Sequence, residues 1–156
     1  MSETVPCRAR WGAVLLAPLL MATGCVLSDD TVKVSANQVV GTWSAADGAT
    51  LSFAADRTFT SDGLDSKKLL DADQRCPGAA ATGTWAFLAD EGDGSYGTSD
   101  KARSGTEVGL SFDKEPQEDC SFDLMAVGGE DGATNLCVTV DPDEPCGPDV
   151  RFTRRK

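Results

Sequence analysis

The sequence predicts an all-β fold: an eight-stranded antiparallel up-and-down barrel with one short helix, a β-sandwich being the alternative architecture. Three observations predict it. Apolar and polar residues alternate with period two through most of the chain, the pattern of strands that bury one face. Clusters of Gly, Asp and Pro cut that alternation into eight short runs. Most of the breaks suit hairpin turns, so successive runs pair with one another. Closing such a meander into a ring leaves no open edge in the sheet.

Each run carries its own inward set. Val39, Gly41 and Trp43 share one face of the first strand. Asp47-Gly48 is a hairpin turn leading to the second, where Ala49, Leu51 and Phe53 align and Thr50 and Ser52 oppose them. Ala55-Asp56 links to a third strand built around Phe59. Gly83, Trp85 and Phe87 mark the fourth, Val108, Leu110 and Phe112 the fifth, and Phe122, Leu124 and Ala126 the sixth. The turn Gly128–Gly132 leads to a seventh with Leu136, Val138 and Val140, and Val150 and Phe152 give the eighth. Two stretches depart from the pattern. Residues 62–75, with Leu64, Leu69 and Leu70 around two lysines, suggest the short helix or an irregular excursion, and Asp90–Arg103 is a long polar loop.

The start of the chain has another character. Arg8 and Arg10 precede the uncharged apolar run Ala13–Ala22, and small residues lead to Cys25 in Ala22-Thr23-Gly24-Cys25. Ten apolar residues suit the core of a signal peptide and are too few to cross a hydrocarbon layer of ~30 Å. The segment resembles the lipobox of bacterial lipoproteins. That resemblance implies a signal peptide over 1–24 and a Cys25 that carries a diacylglycerol thioether. It also implies a protein held on the extracytoplasmic face of the cell membrane; the polar residues after Cys25 then read as a lipidated tether over 25–36, and the alternating strands as a barrel domain over 37–156. Stable anchoring takes two acyl chains or more, which a diacylated cysteine supplies.

Composition fits an exported body. The chain has 14 basic and 25 acidic side chains and a net charge of −11, one unit more negative once Glu3, Arg8 and Arg10 leave with the signal. Phosphate backbones would be repelled, so no nucleic-acid partner is expected. Beyond Cys7 and Cys25 an even set remains: Cys76, Cys120, Cys137 and Cys146. Two disulfides are the natural outcome in an oxidising compartment. Three connectivities are open; Cys76–Cys120 with Cys137–Cys146 is favoured, because Cys137 and Cys146 flank one turn. Zinc is disfavoured, there being no His and no C-x-x-C spacing.

The segments Gly41-Thr42-Trp43, Leu51-Ser52-Phe53, Asp56-Arg57-Thr58-Phe59 and Gly83-Thr84-Trp85 resemble the opening of lipocalin-like bacterial β-barrels, of the kind seen in small exported actinobacterial lipoproteins. Agreement extends to Arg151–Arg154. The resemblance implies an up-and-down barrel and transfers no ligand. One departure is Arg57, where Gly is common in that turn.

Catalytic chemistry finds little footing. The absence of His removes the usual triads and the commonest general base. Oxidised cysteines are not nucleophiles. The carboxylate clusters Asp90/Glu91/Asp93 and Asp141/Asp143/Glu144 fall in turns and lack a calcium-loop register. No enzyme activity, cofactor or metal is therefore expected. The expected role is a binding barrel whose cavity is lined by Trp43, Phe53, Phe59, Trp85, Phe87, Leu110 and Phe112. Its ligand would be a small apolar molecule. The alternative is a protein-interaction module, such as a protease inhibitor, engaging an extracytoplasmic protein through its N-terminal tether or the loop around Tyr96. The basic cluster Arg151/Arg154/Arg155/Lys156 is expected to be a solvated tail.

Overall fold

Hydrophobic alternation becomes a closed ring. The computed structural model describes residues 30–64, 80–90, 96–113, 121–129, 132–138, 146–147 and 150–156. In chain order the elements are β1 (Val34–Ser35), α1 (Ala36–Val39), β2 (Gly41–Ser44), β3 (Thr50–Phe53), β4 (Thr58–Asp62) and β5 (Ala81–Asp90). They continue with β6 (Tyr96–Ser99), β7 (Ser104–Gly105), β8 (Glu107–Phe112), β9 (Ser121–Gly128), β10 (Thr134–Val138) and β11 (Arg151–Arg154).

Eight of these strands form the barrel, each antiparallel to its neighbours in chain order: β2, β3, β4, β5, β8, β9, β10 and β11. The ring closes between β11 and β2, where Arg154 lies opposite Trp43. Hydrogen bonding on both sides of every ring strand makes this one sheet closed on itself, so the sandwich alternative does not apply.

The turns are built as their residues require. Gly48 has φ of +95°, a conformation open to Gly, and the Ala49 N–H donates to the Asp47 carboxylate at 3.1 Å. Gly132 closes the β9–β10 hairpin at φ +73°, its N–H donating to the Gly129 carbonyl. Inward residues of the ring strands make one core cluster that includes Trp43, Leu51, Phe59, Trp85, Leu110, Leu124, Leu136 and Phe152. Full burial of such a side chain contributes roughly 1.5–3 kcal/mol.

Three expectations change here. First, Asp90–Arg103 is not all loop. β6 lies outside the ring and pairs with the second half of β5, from Phe87 opposite Ser99 to Asp90 opposite Tyr96. β6 closes no barrel wall, so it carries no alternating apolar face for periodicity to detect. Second, the described short helix is α1, at Ala36–Val39, whereas 65–79 lies outside the described residues. Leu64, at the edge of that stretch, is buried in the core. Third, the later part of the expected tether is docked. Asp30 and Val32 hydrogen-bond to Gly128 and Ala126, and Thr31 bridges Val127. Val34 then pairs with Gly105 and is buried in the core, and the Ala36 N–H donates to the Arg103 carbonyl. Asp30–Val39 is thus a strap that runs from the end of β9 across one end of the ring into β2. An alternation of only two residues, Val32 and Val34, is too short to distinguish such a strap from a free linker.

Candidate functional site

The seven expected cavity residues are brought together. Trp43, Phe53, Phe59, Trp85, Phe87, Leu110 and Phe112 are all buried in the one core cluster. The rings also touch. Trp85 meets Phe53 and Phe87 edge to face, each with centroids 5.8 Å apart, and Phe59 meets Phe112 at 5.1 Å. Phe53 and Phe59 lie tilted at 6.2 Å. These are packing distances, so the rings themselves occupy the space between them. Ser61 points into the same interior at 3% exposure, and its hydroxyl has no hydrogen-bond partner.

One end of the ring is sealed by three devices. The strap is the first: Val39 is buried, and its carbonyl accepts the Trp43 Nε1–H at 2.8 Å. The segment around β7 is the second, because a Cβ on Gly105 would sit 2.8 Å from the Phe87 ring. The third is Arg57, in the β3–β4 turn. Its guanidinium lies 4.2 Å from the Trp85 centroid and 5.4 Å from that of Phe87, and Nη2 donates to the Ala102 carbonyl at 2.7 Å. Nη1 is buried without a hydrogen-bond partner. Trp85 completes the knot, with its N–H on the Arg57 carbonyl and its Nε1–H on that of Ala54. Arg57 was absent from the expected lining; its signal in the sequence was an arginine in a turn position that favours Gly.

A recess open to solvent lies elsewhere among the described residues. A half-open groove of about 360 Å³ runs along Thr84 and Ala86 of β5 and Gly109 and Ser111 of β8, bordered by Thr98, Asp100, Trp85 and Arg57. Gly109 makes the close approach possible, since a Cβ there would meet Thr98 Cγ2 at 2.8 Å and Leu88 Cδ1 at 3.0 Å. The groove thus offers hydroxyls and a carboxylate. Opposite Gly109 in register stands Asp123, whose carboxyl is pushed above the ordinary range by burial. Asp56, by contrast, is held below it by the Thr58 hydroxyl, at 2.6 Å, and the Thr58 N–H.

Cys137 and Cys146 form a disulfide, as favoured. It packs with Met125 and Val127 outside the ring. Cys25, Cys76 and Cys120 lie outside the described residues, as do the side chains of Tyr96 and of both carboxylate clusters. Among the described residues no helix is long and apolar enough to cross a membrane, and no group of three or more metal-ligating side chains gathers. The C-terminal basic residues are not simply a tail: Arg154 Nη2 donates to the Val40 carbonyl, and the Arg155 N–H to that of Thr42. Comparison with protein-family models, curated proteins and solved structures found no match to this chain.

Proposed function

We propose that the protein is a non-enzymatic binding lipoprotein, anchored through Cys25 on the extracytoplasmic face of a cell membrane, and that its barrel takes a small polar ligand in the groove between Thr84, Gly109 and Ser111. The observation that carries the site is the groove itself. Its volume of about 360 Å³ falls in the range of small-molecule sites, ~300–1,000 Å³. The interior rings touch one another, which favours this groove over an apolar cavity among them. The mixture of hydroxyls and Asp100 suits a ligand with several hydrogen-bonding groups. The lack of His and the outward setting of Asp56 and Asp100 support a binding role over catalysis.

A fragment screen by thermal shift, run in parallel on the protein and on Ser111→Trp, tests the site. Ser111 is exposed, so the indole fills the groove without entering the core. Ligands that stabilise the protein and lose that effect in Ser111→Trp support the reading; ligands that bind both equally overturn it. Mass spectrometry of the mature N-terminal peptide tests the anchor, because a free Cys25 thiol is incompatible with it.

A protein partner is the second reading, favoured by β6. Among the described residues this strand pairs only with β5, and such an edge can accept an extended segment.

A further inference from the structure

We infer that the barrel stands on the membrane in one orientation, with its strapped end against the lipid surface and the end bearing the Ala45–Ala49 turn directed outward. This rests on the anchor proposed at Cys25. The strap makes the link between lipid and barrel short. Asp30 is already hydrogen-bonded through its carbonyl to the Gly128 N–H, and the chain from there to α1 is held by the Thr31–Val127 bridge, the Val34–Gly105 pair and the buried Val34 side chain. Five residue steps separate Cys25 from Asp30. Even fully extended they reach at most about 18 Å. A tether of that length, fixed at one end of the ring, keeps that end at the headgroups.

The opposite end lies at least one strand length further out. β3 and β4 run away from the strapped end, and four to five residues at ~3.3 Å each separate the Ala54–Arg57 turn from the level of Ala49 and Asp62. Chain connectivity, rather than charge, sets the orientation. Lys33, Arg57, Arg103, Arg154 and Arg155 outnumber Asp30, Asp56 and Glu107 at that end, so an anionic surface adds to the same orientation without being its cause. Neutral and anionic membranes should therefore give the same order of quenching. The consequence is that whatever meets the protein from outside meets first the turn Ala45–Ala49 and the far ends of β4, β8 and β10.

The test uses two exposed alanines in turns at opposite ends, Ala55 and Ala46. A genetically encoded fluorophore at either position, in the processed protein on vesicles of neutral or anionic phospholipid, is quenched by nitroxide carried on lipid headgroups. Quenching at Ala55 is expected to exceed that at Ala46 several-fold on both membranes; equal quenching, or the reverse order, overturns the proposal. Inserting fifteen Gly and Ser residues between Cys25 and Asp30 leaves the barrel untouched and should abolish the contrast on neutral vesicles. A contrast that survives the insertion on neutral vesicles overturns it, since the short tether would then not be the cause. If Cys25 proves unlipidated in the cell, the anchor reading fails by itself. Coupling its thiol to a maleimide lipid still lets the orientation be measured.

Discussion

The guanidinium of Arg57 lies over Trp85 with its central carbon 4.2 Å from the ring centroid, although Arg57 itself sits at φ +71°, a conformation that disfavours side chains. The two facts belong together. A glycine would relax the backbone but leave the end of the barrel open, and the arginine tolerates the strain because its side chain closes that end.

Arg57 variants should therefore rank in a set order. Arg57→Ala keeps the unfavourable φ and loses both the ring contact and the hydrogen bond to Ala102, a loss of about 1–2 kcal/mol. Arg57→Gly loses the same contacts but recovers roughly 1 kcal/mol of backbone strain. Urea unfolding should place the wild type above Arg57→Gly, and Arg57→Gly above Arg57→Ala. Arg57→Ala more stable than Arg57→Gly would contradict the strain assignment.

Gly83→Ala should be far more damaging than a turn substitution of similar kind. A Cβ at Gly83 would run into the Ser111 carbonyl oxygen and lie 2.6 Å from Phe59 Cε1. The first obstacle is backbone in the neighbouring strand and cannot step aside, so overpacking of about 2–3 kcal/mol or more is expected. Thermal unfolding should show a loss of that order, with the melting point falling by more than 5 °C.

Removing the Cys137–Cys146 disulfide as a double Ala variant should lower stability by about 2–3 kcal/mol. The two cysteines are 9 residues apart in sequence, and closing a short loop restricts the unfolded chain by roughly that amount. The comparison is made in urea under oxidising conditions. An unchanged midpoint would mean that the cross-link constrains nothing the unfolded chain would otherwise explore.

Asp123 and Asp56 should act on acid stability in opposite directions. The Asp123 carboxyl has a raised value when folded, so the folded state takes up its proton first as pH falls. It therefore favours folding increasingly as pH drops through that raised value towards the ordinary 3.8, and disfavours folding at neutral pH. Asp123→Asn should raise the neutral urea midpoint and remove that acid-side gain. Asp56 is lowered by Thr58, so its contribution is present above 3.8 and lost as pH falls through its lower folded value. Asp56→Asn should flatten the fall in stability at the acid end. A midpoint-versus-pH curve for each variant checks both signs.

Alternation made the barrel legible because a strand with one buried face must place its apolar side chains at every second position. Leu51 and Phe53, Trp85 and Phe87, and Leu110 and Phe112 all followed that rule, and all are inside. The same logic was silent for β6 and for the strap. β6 is held by its backbone ladder to β5, and Val32 and Val34 make too short an alternation in a polar stretch. The groove was equally invisible. It depends on Gly109 letting Thr98 approach across the outside of the wall, a contact between positions 11 apart in sequence that no local pattern encodes.

The sequence by itself determined which residues are inside, how many strands enclose them, and that consecutive strands pair. Those follow from local periodicity and turn chemistry. Only the tertiary structure decided that the ring closes between β2 and β11, that one end is shut by Arg57 and the strap, and that the interior rings pack against each other. Each of these depends on the distance between segments far apart in the chain, which is set when the whole sheet curls shut.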